Sequence, residues 1–176
     1  RYFENSGTVD DRFTVGNLTD FMMIDRYSDP RDPAQPAFGY GNGNRYFIQT
    51  ADIAFDASFV GLSNAFGGVY DGNGFAFTSD RVDGGKFSGI FKNVVGGRIE
   101  NLKVEIFRYE ISAKGDYGLI AANIGGSGAG VSDVYVAANV YIENSAVNFG
   151  GVAGTAENTL ISAVNFGGVA GTAENT

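Results

Sequence analysis

In "NLKVEIFRYEI", residues 101 to 111, apolar and polar positions alternate. Leu102, Val104 and Ile106 share one face; the phase then slips, and Phe107, Tyr109 and Ile111 share the other. A period of two marks a β-strand, and the change of face predicts a bulge or a corner between two strands. "VSDVYVAANVYIE", residues 131 to 143, behaves the same way, with Val134 and Val136 followed by Val140 and Ile142. No helix of ordinary length can be drawn after residue 50. Earlier, "VGNLTDFMMIDRYSD" places Leu18, Phe21, Met22 and Tyr27 near helical spacing, with Asn17 as a capping residue.

Between these regimes the chain changes character. Pro30, Pro33 and Pro36 are its three prolines, and residues 37 to 176 have none, whereas only Gly7 and Gly16 of the 27 glycines precede residue 37. A proline-free, glycine-punctuated stretch rich in Val, Ile, Phe and Ala predicts many short strands with tight corners. Two parts follow: a cap over residues 1–36, made of a short helix and a Pro-rich loop, and a strand-rich body over residues 37–176.

The body repeats. "FSGIFKNV", "YGLIAANI" and "NFGGVAGTA" each set an aromatic before a Gly-centred apolar run, at Gly89, Gly118 and Gly151, a recurrence of roughly 30 residues. Leu102, Val134 and Val164, in the strands that follow, recur at a similar interval. A helix-free period of this length predicts a solenoid, each coil burying its inward side chains only by stacking on its neighbours. "SAVNFGGVAGTAENT" fills residues 145–159 and again 162–176, a return well short of that period. At about 25 residues per coil, the body would make on the order of five or six coils.

"RYFIQTADIAF", then "FGGVYDGNGFAF", "FSGIFKNVVGGRIENLKVE" and "YGLIAANIGG" together resemble the GLUG-type repeat region of bacterial surface proteins, over roughly residues 12 to 165. The upstream "FTVGNLTDFMMI" resembles the strand and short helix that often precede the first coil. The resemblance implies an all-β fold, a right-handed parallel β-helix of the pectin-lyase-like type, in a secreted or cell-surface protein of adhesin type.

Charge and chemistry narrow the function. Twelve basic against 20 acidic residues give a net charge of −8, which opposes nucleic-acid and anionic-lipid partners. The absence of His and Cys removes disulfides, thiol nucleophiles, the usual zinc ligands and a Ser-His-Asp triad. No apolar run is long enough for a transmembrane segment.

In "YDGNG", Asp71 and Asn73 form a weak calcium candidate; without further acidic ligands at set spacing, Asp71, Gly72, Asn73 and Gly74 read as a tight turn. Gly89, Gly118 and Gly151 read as structural repeat positions. For carbohydrate chemistry the available groups are Asp52 with Asp71, or Lys103 with Arg108, and their spacing singles out neither pair, so no catalytic residue, metal or cofactor is assigned. The expectation is a non-enzymatic structural or binding module, an extracellular or cell-surface adhesin or fibre that binds glycan or protein through loops such as "DPRDPAQPAFGYGNGN". The alternatives are a filament subunit self-associating end to end through its β-helix ends, and a polysaccharide lyase or glycosidase.

Overall fold

The computed structural model describes residues 5–27, 45–143, 147–157, 160–163 and 170–174, and it is a parallel β-solenoid of about four turns. Among the described residues every strand pairing is parallel. A first sheet stacks β1 (Phe13–Val15), β2 (Tyr46–Gln49), β4 (Val69–Asp71), β7 (Arg98–Glu100), the start of β11 (Gly130–Ile142) and β14 (Leu160–Ala163). A second stacks β3 (Ile53–Ala54), β5 (Ala76–Asp83), β8 (Lys103–Ile111) and the rest of β11. The third contains β6 (Phe91–Val95), β10 (Ala121–Gly125), β13 (Ala153–Glu157) and β15 (Ala170–Glu174); β9 (Gly115–Tyr117) pairs with β12 (Val147–Phe149) beside it.

Phe47, Tyr70, Ile99, Val131 and Ile161 occupy successive rungs of the first sheet. After a shorter first step, each step between them takes about 30 residues, as the recurrence in the sequence anticipates. Coils of that length are longer than the expected ones, so the chain makes about four turns instead of five or six. Of the anticipated strand positions, Val164 lies outside the described residues, as does the proline-rich segment.

The helix α1 (Leu18–Tyr27) is the only α-helix among the described residues. Asn17 caps it: its Oδ1 accepts from the Asp20 N–H at 2.9 Å, and Asp20 Oδ2 accepts in return from the Gly16 N–H at 2.9 Å. Phe21 and Ile24 are its fully buried residues, while Met22 is half exposed, so the apolar stripe runs through Leu18, Phe21 and Ile24 and excludes Met22. The side chain of Tyr27 lies outside the described residues.

Phe21 explains the helix's place. Its ring lies 4.8 Å from Phe77, 5.4 Å from Phe91, 5.5 Å from Tyr70 and 6.1 Å from Phe59, edge-on to all four. These come from the second and third sheets, the first sheet and an intervening turn, so Phe21 plugs the solenoid axis near its N-terminal end. Further along α1, Asp25 accepts from the backbone N–H groups of Ser63 and Asn64 at 2.7 and 3.0 Å, tying the helix to the first coil. Burial raises the Asp25 carboxyl above the ordinary aspartate range, opposed by those two hydrogen bonds and by Lys92.

One polar pair is sealed in the core. Gln49 and Tyr70 are both fully buried; the Tyr70 hydroxyl donates to Gln49 Oε1 at 3.0 Å, and Gln49 Nε2 donates to the carbonyls of Ala51 and Ala76. Farther along, the buried Tyr109 hydroxyl donates to the Phe87 carbonyl. Burial pushes both phenols well above the ordinary tyrosine value, with Asp71 adding to the shift at Tyr70 and Tyr117 at Tyr109.

Phe21→Ala empties the axial plug and should destabilise the fold by about 3–5 kcal/mol in urea denaturation; a loss within experimental error would refute the plug. Because the folded phenols keep protons that the unfolded chain releases, stability is fully present below about pH 10 and declines as pH rises above it. Tyr70→Phe should lower stability near neutrality by about 1–3 kcal/mol, through the orphaned Gln49 oxygen, yet flatten the alkaline decline. Unfolding curves at pH 8, 10 and 11 read both effects.

Candidate functional site: a groove across the second sheet

The second sheet bends, and the bend makes a groove. Leu102, just before β8, is buried, as are Val104 and Ile106 within it; Phe107 and Arg108 both point outward, and Tyr109 and Ile111 are buried again. Two consecutive outward residues turn the strand and restore its inward phase. The expected break is therefore present, with one correction: Tyr109 and Ile111 return to the core, because the strand has turned a corner around it, and only Phe107 stays out.

β5 bends alike, with Asp80 and Arg81 outward between buried Ser79 and Val82. β11 takes the same corner with one residue fewer. Ala138 pairs with Ile106 and Val140 with Tyr109, so Asn139 alone spans the shift, and its Nδ2 donates to the Phe107 carbonyl at 2.8 Å.

Below the bend, Ala54, Thr78, Glu105 and Ala137 stand in register on four successive coils. They floor a groove of about 540 Å³ whose wall carries Asp80, Phe107 and Asn139. The groove crosses the strands and so runs along the solenoid axis, over about 14 Å for three strand spacings. Phe107 is 72% exposed, the largest exposure of any large apolar side chain among the described residues. Asp80 and Glu105 make no ion pair among the described residues.

Beyond the bend, Arg81 and Arg108 both bind Glu110, and the Arg108 guanidinium lies 4.5 Å over the Tyr141 ring. The hydrogen bond from Arg108, supported by Arg81, holds the Glu110 carboxyl below the ordinary glutamate range. Arg81 and Arg108 are thus engaged away from the groove.

The residues singled out by sequence fall mainly at corners. Between Asp71 and Ala76 the second coil carries four residues where the third carries two, Asn101 and Leu102, between the paired positions Glu100 and Lys103. "YDGNG" is this longer corner. Asp71 Oδ1 accepts from the Asn73 N–H at 2.8 Å and from Asn101 Nδ2 at 3.1 Å, and Oδ2 pairs with Arg12 at 2.8 Å. A calcium ion on Asp71 would have to displace that guanidinium. Asn73 and Asn101, with Asp133 in the next coil, sit at φ near +52°, a conformation that short polar side chains tolerate.

The glycines mark close approaches between coils. A Cβ on Gly72 would fall 2.5 Å from the Asn101 carbonyl oxygen, one on Gly89 2.6 Å from Ala121 Cα, and one on Gly118 2.5 Å from the Val152 carbonyl oxygen. Gly74 carries the positive φ that follows Asn73, and the Gly151 carbonyl accepts from the Leu119 N–H at 3.1 Å.

The charged pairs weighed for catalysis do not converge on the groove. Asp52 accepts the Ala76 N–H at 2.8 Å and Asp71 is committed to Arg12, so both carboxylates serve corners. Lys103 and Arg108 lie on opposite sides of the bend in β8, Lys103 lining a second concavity with Asn101, Asp133 and Tyr135. Asp80, Glu105 and Asn139 escaped sequence reading because nothing local distinguishes them from other outward polar residues; only the register of three coils brings them together. The loop "DPRDPAQPAFGYGNGN" lies outside the described residues. No protein family matches the chain, and neither a curated protein nor a solved structure is similar to it.

Proposed function

We propose that this chain is a non-enzymatic binding module of an extracellular or cell-surface protein, of adhesin or fibre type. The observation that carries the reading is the open groove, with an exposed aromatic wall, on the outside of a solenoid whose Asp52 and Asp71 carboxylates serve its corners. Acid–base cleavage of a glycoside needs a carboxyl shielded enough to keep its proton. Asp80 and Glu105 stand instead at exposed positions. The resemblance of "TADIAF" and "YDGNG" to GLUG-type surface repeats supports the same setting.

A glycan and extracellular-protein binding array, run beside reducing-sugar and unsaturated-product assays on the same polysaccharides, tests this reading. Retention of a ligand without turnover is expected. Sustained product release abolished by Asp80→Asn or Glu105→Gln would overturn it.

One observation favours a filament subunit as the second reading. Ala153–Glu157 stacks in parallel on its own sequence copy, Ala170–Glu174, with Thr155 on Thr172 and Glu157 on Glu174. Two coils of identical sequence thus stack in register, and end-to-end association would extend the same parallel pairing from one copy to the next. Threads in negative-stain micrographs that lengthen with concentration are its expected signature; a sedimentation coefficient constant up to high concentration would eliminate it.

A further inference from the structure

We propose that the groove across the second sheet docks a neutral, hydroxyl-rich polysaccharide laid along the solenoid axis, with Phe107 as its stacking platform and Asp80 and Glu105 as its hydrogen-bond acceptors. This deepens the binding reading above and rests on it.

Spacing favours such an occupant. Ala54, Thr78, Glu105 and Ala137 repeat across the floor at the strand separation of about 4.8 Å, close to the length of one pyranose unit in an extended chain. A polymer lying along the axis therefore meets an equivalent position with each successive sugar. Small side chains at Ala54 and Ala137 leave the floor open for it. A polypeptide that adds to a sheet pairs along an edge strand, whereas this groove crosses the strands.

Chemical complementarity points the same way. A pyranose ring presents a face of C–H groups that packs on an aromatic ring, while its hydroxyls radiate from the rim as donors. The groove offers that pairing: the well-exposed Phe107 ring beside carboxylates that only accept hydrogen bonds. Both Asp80 and Glu105 can take hydroxyl donors without losing an ion pair.

Charge selects among occupants. The cations nearest the wall, Arg81 and Arg108, are held by Glu110. With two carboxylates on the groove and a net charge of −8, polyuronates and nucleic acids are repelled, and so is the same face of a second copy of this chain.

The test is a pull-down and affinity-electrophoresis series on cellulose, chitin, xylan, curdlan and polygalacturonate. It compares the unmodified chain with Phe107→Ala, Glu105→Gln and, as a control on the third sheet, Val95→Ala at a position 56% exposed. Retention on at least one neutral polysaccharide is expected, weakened about tenfold by Phe107→Ala and less by Glu105→Gln. Val95→Ala should bind like the unmodified chain. Circular dichroism and thermal melts verify that each variant folds.

Neutral-glycan binding that survives Phe107→Ala and Glu105→Gln unchanged overturns this site and leaves the binding-module reading standing. Retention on polygalacturonate alone, or on no polysaccharide, overturns the proposed ligand class. Turnover of a bound polysaccharide overturns the reading on which the inference rests.

Discussion

Parallel stacking at a fixed spacing is the constraint on which the rest of the molecule depends. Each strand has its partner one coil away, so the sequence must return to the same place after every turn, in register. An inward residue is then packed mainly by its counterparts above and below. In the first sheet that rank reads Phe13, Phe47, Tyr70, Ile99, Val131; in the third it reads Leu62, Phe91, Ala121, Ala153. These two ranks thus pass from aromatic to aliphatic along the axis. The aromatic end is where Phe21 enters from the helix, in a ring cluster dense enough to close what would be an open rung.

Stacking also dictates what corners can be. Where the path turns between sheets, backbones of adjacent coils meet closely enough that a side chain has no room, as at Gly72, Gly89 and Gly118. Where a left-handed residue is needed, Asn or Asp supplies it, as at Asn73, Asn101 and Asp133. Many of the eye-catching polar letters of the sequence are therefore consumed by architecture. Asp71 looks like a ligand and is a clamp, joining Arg12, its own turn and the Asn101 of the next coil.

The same logic separates what the sequence discloses from what it hides. Period-two alternation, the loss of proline after Pro36 and the regular recurrence of glycine are local signals, and each maps onto a strand, a coil body or a corner. The N-cap at Asn17 is equally local. The coil number expected from the sequence is too high because the later coils, such as those from Tyr70 to Ile99 and from Ile99 to Val131, are longer than the length it assumes. The phase slip after Ile106 is visible as a break, yet its sense is not: whether Tyr109 turns to solvent or back to the core depends on where the chain bends, which the strand's own letters do not encode. Gln49 lies on an inward position of β2 and is legible as an oddity only once Tyr70 is known to stack beside it. The groove is illegible for a stronger reason. Thr78, Glu105 and Ala137 each lie a full coil apart along the chain, and only the register makes them neighbours.

That separation has a functional consequence. Inward ranks and corners are tightly constrained, since a change there disturbs the coils on both sides. Outward positions are held by backbone hydrogen bonds they do not themselves make, so they vary without loss of fold, and a surface assembled from them is already rigid before any ligand arrives. The bend of the second sheet adds relief to an otherwise flat face, because two adjacent outward residues on β5 and on β8 raise a wall beside a floor of smaller ones. A repeating scaffold with such a wall offers a repeating ligand one outward register position per coil. A ligand lying along the axis then gains contacts with each coil that it spans.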